Sequence, residues 1–405
     1  MKILLIGSGA REHALLYAMK KNHPDYDYFA MPGNPGMKIP SLEEAAAMEL
    51  KWDLVIIGPE DPLARGVADD FRKKGILVFG PGADAAALES SKIFSKNFMQ
   101  KYDIPTAAYK EARTYKDALN VLMKFSDPPV IKADGLAGGK GVFLPESINE
   151  AHSILEALMV ENLLGSSGSK VLFEEKLEGP EISFFYLVNK QGYKYLGSAR
   201  DHKRAYDGGK GPNTGGMGTY SPVPDVDEKD MKQIDEIMER TYRGILAENM
   251  DYRGVVFIGC MRTKEGLKVL EYNVRFGDPE TQVLMARLES DFLELAMAVA
   301  KNELIPEVLL KDQVALCVVL ASKGYPNEIL KDQPIEIGNL EEDILLFSGG
   351  TSLLDGVLVN SSGRVFSLVA LGDNFEQARE KVYGSIDRVK FQGMWYRRDI
   401  GENLI

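Results

Sequence analysis

VLEYNVRFGDPETQ, residues 269–282, opens with the alternation of a β-strand, so Glu271 and Asn273 project from one face. A carboxylate and an amide oxygen side by side are hard oxygen ligands. They suit Mg²⁺, which takes one or two protein carboxylates and completes its shell with water and nucleotide phosphates. Arg275 keeps the same parity, and the turn FGDPE then presents Asp278 and Glu280. A strand with a purely structural role rarely directs this much charge to one side. The competing reading is a solvated strand edge.

Working outward, strands flank Glu271 and a helical pattern runs from about 280 to 302. Toward the N-terminus, KILLIG, YDYFAMPG, LVIIG (54–58) and ILVFG (76–80) read as strands, with helical patterns at 10–21 and 61–74. Strands alternating with helices predict a parallel, doubly wound sheet. Beyond about 104 the texture changes to strand–loop–strand, with helices near 147–162 and 228–249. Glycine-rich polar sequence fills 201–224, and 309–405 is mostly strand and turn with a helix at about 374–390. The expected fold class is therefore α/β and α+β, multidomain. Its units are 1–103 (α/β), 104–308 with a flap subdomain at about 122–190, and a small β-rich unit at 309–405 that packs with the first.

The chain has 405 residues, 45% of them apolar, enough for two or three domains with their own cores. No apolar run approaches the ~20 residues of a membrane span, and MKILLIGSG passes from strand to glycine turn, unlike a signal peptide. Cys260 and Cys317 lie in apolar runs and read as buried core thiols rather than a disulfide framework. A cytoplasmic location is expected. The net charge of −12 disfavours non-specific nucleic-acid binding.

GSGAREHAL (7–15) stands between the first strand and the first helix, but it is not a dinucleotide fingerprint. Glu12 holds the third glycine position, and the second strand ends in Met31-Pro32 without a ribose-binding acid. What remains is a helix N-terminus, with Gly9, Ala10 and Arg11, suited to a phosphate. GPEDPLARG (58–66) follows a strand end, where Glu60 could grip sugar hydroxyls. VIKADGLAGGKGV (130–142) is not a Walker A loop, because Gly141 follows Lys140. A glycine-rich loop between two strands can fold as a flap over phosphates, with Lys132 supplying charge from the strand before it. FEEKLEGPEIS (173–183) could offer hinge backbone to an adenine edge and a carboxylate to a ribose. The run 201–218 carries Arg204, Lys210 and Asn213 among glycines, and a loop of this kind is usually functional. His202 is read either as a hydrogen-bonding loop residue or as a catalyst.

In order, these segments resemble the glycinamide ribonucleotide synthetases, ATP-grasp ligases of purine biosynthesis. The likeness rests on GSGAREHAL, PGNPG, GPEDPLARG, LESSKIFSKNFM (88–99), IPTAAY, IKADGLAGGKGV, DHKR, GPNTGGMGTYSP, EYNVRFGDPETQ, ASKGYP and YRRDIG. The resemblance implies a central ATP-grasp fold, with ATP and Mg²⁺ or Mn²⁺ as cofactors. Glycine and 5-phosphoribosylamine are the implied substrates, for a chain that binds neither nucleic acid nor membrane and is a monomer or weak homo-oligomer. It assigns ATP contacts to Lys92, Lys132, Gly138, Gly139, Lys140, Gly141, the hinge Glu174, Glu175, Lys176 and Leu177, and to Glu181, Arg204 and Asn213. Gly9, Ala10, Arg11, Glu60, Gly215, Gly216 and Arg275 are implied substrate contacts, and Glu271 and Asn273 the metal ligands. Lys132, Lys140, Arg204, Arg275 and Asp278 carry the implied catalysis. The chain departs from the pattern at Ala10, Lys176, Pro180 and Ser348. General ATP-grasp enzymes also carry a second metal acid on the preceding strand, which here reads GVVFIGCM.

Three other readings compete. Another ATP-grasp carboxylate–amine ligase is disfavoured by GPNTGGMG. A dinucleotide-dependent oxidoreductase is disfavoured by the broken fingerprint. A nucleotide-sensing module is disfavoured by the joint presence of lysines, metal ligands and substrate loops.

Overall fold

The computed structural model describes residues 1–138 and 141–404. Its first sheet is parallel. Lys2–Gly7 lies between Asp27–Pro32 and Leu54–Ile57, and Val78–Phe79 adds the edge. Alternation decides how the central strand is buried. Ile3 and Leu5 enter one core while Leu4 and Ile6 enter another, so both faces are covered, as a doubly wound sheet requires. Helices Ala10–Asn22, Ala83–Ser90 and Lys92–Lys101 belong to these layers.

A second sheet of four antiparallel strands follows, ordered Tyr109–Ala112, Val171–Glu174, Val130–Ala133, Val142–Phe143. Helices Tyr115–Leu122 and Ile148–Met159 cover it around a separate small core containing Leu122, Ile131, Leu155 and Phe173.

The third sheet has eight strands and joins the centre of the chain to its C-terminal part. Its order is Gly266–Asn273, Gly254–Thr263, Glu181–Asn189, Gly192–Asp201, Gly218–Ser221, Val314–Ala321, Arg364–Gly372, Ile344–Ser348. The C-terminal segment therefore continues the central sheet, through the pairing of Gly218–Ser221 with Val314–Ala321. The same period-2 logic applies again: Ala315, Cys317 and Val319 face the shared core while Leu316, Val318 and Leu320 face the C-terminal one. This segment also meets the N-terminal helix, where Ser348 N donates to His13 Nδ1 at 2.9 Å. Burial, then Lys20 and Lys38, lowers the His13 pKa to about 4, leaving a neutral acceptor.

Three expectations change in detail. The helical pattern at 61–74 is two helices, Glu60–Ala64 and Val67–Lys73, separated by Gly66 at φ +82°. The pattern at 280–302 also divides, because the Asp291 carboxylate caps a new helix, Phe292–Lys301, through Leu293 N and Glu294 N. The glycine-rich run 201–224 carries a ribbon of Arg204–Tyr206 and Lys210–Asn213, plus one strand of the large sheet. Cys260 and Cys317 are buried free thiols. Among the described residues no helix is long and apolar enough to cross a membrane.

Phe292 fixes the seam between the first and third sheets. Its fully buried ring meets Phe79 at 6.1 Å and Phe276 at 5.8 Å between centroids. Phe292→Ala should cost about 3–5 kcal/mol in denaturant unfolding, while exposed Phe94→Ala should change stability by less than about 0.5 kcal/mol. Equal losses would show that this seam does not hold the units together.

Candidate active site

A cleft opens between the four-stranded and eight-stranded sheets. Glu271 and Asn273 line it from the strand Gly266–Asn273, and Lys132 lines it from Val130–Ala133 opposite. Lys92 enters from the first turn of its helix. Asp134 fixes that turn, accepting from Ser91 Oγ at 2.9 Å and from Ile93 N at 2.8 Å. The Glu271 carboxylate makes no ion pair within 4.0 Å among the described residues. Burial pushes its pKa up, but Lys203, Lys132, Lys92 and Arg275 together hold it below the ordinary value. An ionised carboxylate with nearby cations and no direct partner is suited to a divalent ion that arrives with phosphates. Asn273 Oδ1 accepts from Arg275 Nη2 at 3.0 Å and keeps a second lone pair. No group of three or more His, Cys, Asp or Glu side chains among the described residues could cage a metal. The donors therefore fit a cation that the nucleotide helps to bind.

The hinge is built around a buried carboxylate. Glu174 pairs with Lys132 at 2.8 Å and with Lys96 at 3.0 Å, and Lys96 also donates to Thr106 Oγ1 at 2.6 Å. Burial lowers the Lys96 pKa to about 8 against the pull of Glu174. Glu175 Oε1 accepts from Ala108 N and Lys268, while Lys176 is exposed and Leu177 half-buried. Glu181 holds Lys203 at 2.5 Å. In the glycine loop, Gly135 N donates to Ser167 O and Ser167 Oγ to Leu136 O. Gly138 has φ +54°, a Cβ there would meet nothing within 4 Å among the described residues, and Gly141 accepts from Ala133 N. Gly139 and Lys140 lie outside the described residues.

Arg275 follows the strand Gly266–Asn273 and is held from two helices. Its guanidinium meets Glu89 at 2.8 Å and Glu60 at 3.2 Å, and donates to Phe276 O. Against burial, these acids hold its charge firmly. The GPEDP acid therefore braces Arg275 through Oε2 while lining the same cleft.

A second cavity, of about 450 Å³, lies where Ser8, Gly9, Ala10 and Asn34 face Gly349–Thr351 and Ser361–Arg364, with Asp278 between. Arg11 does not line it. Its buried guanidinium donates to Glu12 at 2.5 Å and to Phe276 O at 3.0 Å. Glu12 also accepts from Gly9 N at 2.6 Å, so the expected phosphate corner is partly filled by the protein's own carboxylate. Gly58 leaves room for it, since a Cβ there would sit 1.8 Å from Glu12 Oε1. A dinucleotide pyrophosphate would meet this buried acid, which explains the broken fingerprint.

Arg204 and Asn213 face one another across the ribbon and are exposed, with Arg204 Nη1 bonded to Gly211 O at 2.7 Å. They are not in the cleft with Lys132. His202 is a half-buried neutral ring against Tyr220, its pKa lowered to about 4 by burial and Arg397. Sequence reasoning missed Glu89, Lys96 and Lys203. All three stand inside quoted motifs (LESSKIFSKNFM and DHKR), beside residues that were singled out.

Burial and Asp201 raise the Glu280 pKa from 4.5 to about 7, against its own backbone N–H, Lys203 and Arg275. Between those pH values the folded chain keeps a proton that the unfolded chain has lost, so this group makes stability fall as pH rises. Glu280→Gln should gain stability over wild type as pH climbs from 4.5 to about 7, then level off. Urea midpoints of both proteins across that range measure it, and a pH-independent difference would refute it.

Three domain models of the phosphoribosylglycinamide synthetase family match in order: the N domain over residues 1–89, the ATP-grasp (A) domain over 90–281 and the C domain over 315–403. A Caldanaerobacter subterraneus protein named phosphoribosylamine–glycine ligase is 42% identical over 416 residues, covering 99% of each chain. An Agrobacterium fabrum protein of the same name is 43% identical over 422 residues, covering 100% of this chain and 99% of that one. The crystal structure of the Thermotoga maritima phosphoribosylamine–glycine ligase matches with a TM-score of 0.89 at 35% identity, over 99% of this chain and 100% of that chain. The Campylobacter jejuni biotin carboxylase shares the fold, with a TM-score of 0.75 at 15% identity, over 97% of this chain and 92% of that one. Matched from end to end in sequence and in fold, the chain belongs to the phosphoribosylglycinamide synthetase family of ATP-dependent ligases.

Proposed function

We propose that this chain joins glycine to 5-phosphoribosylamine, forming glycinamide ribonucleotide, ADP and phosphate. The observation that carries the reading is the pairing of Glu271 and Asn273 on one strand face with Lys132 and Lys92 in the same cleft. Residues 1–103 and 309–405 then share the sugar-phosphate substrate, and 104–308 holds the nucleotide. The hinge Glu174–Leu177 offers backbone to adenine and Glu181 a carboxylate to the ribose. Glu271 and Asn273 would hold Mg²⁺ or Mn²⁺, which supplies charge neutralisation to the phosphates when bound.

The residues around the cleft position and neutralise, in keeping with phosphoryl transfer as a largely electrostatic problem. Lys92 and Lys132 offer ammonium groups to the phosphates. A glycine carboxylate oxygen bonds the γ-phosphorus as the β–γ bridge breaks, giving glycyl phosphate and ADP. The phosphoribosylamine nitrogen then bonds the acyl carbon, the C–O bond to phosphate breaks, and the nitrogen loses a proton. Asp278 faces the second cavity as an anion. Burial raises its pKa, yet Arg364 and Arg11 hold it below the ordinary value, so it is suited to steadying the amine end. The 135–141 loop would close over the phosphates and keep water from the acyl phosphate.

The test is ADP release from ATP with phosphoribosylamine generated in situ. Release should require glycine, and formate or bicarbonate should not replace it. Equal turnover with either would favour another carboxylate–amine ligase. Glu271→Ala and Asn273→Ala should each remove most activity with the fold intact, and added Mg²⁺ should rescue Asn273→Ala better, because the lost amide carries no charge. Full activity of either at ordinary Mg²⁺ would remove the metal assignment.

Gly138→Val should lower kcat more than it weakens ATP binding, since a branched side chain at φ +54° opposes loop closure. Gly138→Ala should be tolerated. Hydrogen exchange across 135–141 with and without an ATP analogue gives the direct reading, and equal protection would mean a static hairpin.

A further inference from the structure

We infer that Arg364, from the C-terminal segment, is the cation that binds the phosphate of the phosphoribosyl substrate. The inference rests on assigning the second cavity to that substrate. A phosphomonoester carries close to two negative charges at neutral pH, and a site for it calls for a cation with free donors. Of the side chains lining this cavity, Arg364 is the cationic one. Its Nη1 is fixed, donating to Gly215 O at 2.7 Å and to Asp278 O at 2.6 Å. Among the described residues, its Nε and Nη2 donate to no protein acceptor. One edge is thus anchored and the other is open, the geometry of a guanidinium prepared for bidentate contact with an oxyanion. Arg11 is set aside because it does not line this cavity, and its Nε and Nη1 serve Glu12 and the Phe276 carbonyl.

The glycine pair in GPNTGGMG supports this seat. A Cβ on Gly215 would lie 2.9 Å from Arg364 Cζ. Gly216 has φ +111°, and its Cβ would lie 2.5 Å from Pro279 Cδ. The two glycines let the guanidinium pass between loop 211–218 and the FGDPE turn. Around it the cavity offers the hydroxyls of Thr351, Ser361 and Ser362 and the backbone N–H of Ala10 at the start of its helix, while the Asn34 amide is held by Ser8 O and Ser348 O. Asp278 pairs with Arg364 at 3.4 Å and gives the cavity a negative side, fit for the amine end of the same substrate.

Ribose 5-phosphate and ribose are the probes, each tested as a competitor of phosphoribosylamine in the ADP-release assay. In wild type, ribose 5-phosphate should compete with phosphoribosylamine alone, and ribose should compete far more weakly. R364Q should raise the KM for phosphoribosylamine about 10- to 100-fold, the range of one charge-assisted hydrogen bond. It should leave the KM for ATP and glycine within about twofold and erase the preference for ribose 5-phosphate over ribose. R364K, keeping the charge without the fork, should fall between. If R364Q does not fold, the R364K competition ratio is decisive, with an unchanged ratio overturning the inference. Failure of ribose 5-phosphate to compete in wild type would refute the cavity assignment and the inference with it. Competition in wild type with an unchanged ratio in R364Q would refute the role of Arg364 alone. A rise confined to the glycine KM would reassign Arg364 to the glycine carboxylate.

Discussion

The site depends first on one buried guanidinium. Arg275 stands two residues beyond Asn273 and is held by Glu89 from the end of one helix and Glu60 from the start of another. Glu89 also accepts from Val274 N at 2.8 Å, pinning the backbone where the strand Gly266–Asn273 leaves its sheet. Burying such charges is costly, and removing one partner of a buried pair typically loses about 3–5 kcal/mol because the other is left uncompensated. What the network provides is geometry. It couples the N-terminal unit, the helix pair after it and the strand bearing Glu271 and Asn273 into one frame. Asn273 is oriented by the same guanidinium, so the amide oxygen faces the cleft only while that frame is intact.

Two further frames depend on it. The FGDPE turn begins immediately after Arg275, and its Asp278 carboxylate accepts from Arg11 N and Gln282 Nε2. The eight-stranded sheet then carries the chain into its C-terminal part without a break, so that Arg364–Gly372 delivers Arg364 back to the same turn. The last segment of the chain is thus a wall of the second cavity and shares the sheet that carries Glu271 and Asn273. Loss of the C-terminal segment would open the site as well as expose a sheet edge.

Much of this was legible in the chain because period and chemistry coincide. The alternation of LEYN put Glu271 and Asn273 on one face, and the structure brings both into a cleft with Lys92 and Lys132. The parallel N-terminal sheet followed from short apolar strands separated by helices. Illegible features were those decided by partners remote in sequence. Arg11 reads as a phosphate ligand from its place beside a helix N-terminus, yet Glu12 and a carbonyl 265 residues away hold its Nε and Nη1 away from the cavity. Glu60 reads as a free loop acid, yet Arg275 claims it. Arg204 and Asn213 were placed in the nucleotide site by resemblance, and the ribbon they build holds them at its exposed surface. Arg364 lies in an unremarkable SSGRVF strand start, and no local pattern distinguishes it from a solvated arginine.

The charge of the whole chain, −12, runs against the chemistry expected of its centre, where polyanions must bind. The two are reconciled by distance. At physiological ionic strength the field of exposed carboxylates decays over about 8 Å, whereas charges within a desolvated cleft act on one another with little screening. Lys92, Lys132, Lys203 and Arg275 all act on Glu271, and the cleft lining sets Lys92, Lys96, Lys132 and Arg275 against Glu60, Glu89, Glu174 and Glu271, so the cleft is rich in cations although the chain as a whole is acidic. Glu174 holds Lys132 and Glu181 holds Lys203. An incoming triphosphate therefore exchanges existing ion pairs for new ones, without charging an apolar space. The carboxylates that neutralise the lysines in the free protein are thus also those that face the base and sugar of the bound nucleotide in the proposed pose. Such an arrangement lets one set of acids keep the empty cleft folded and orient the nucleotide once the phosphates have taken the lysines over.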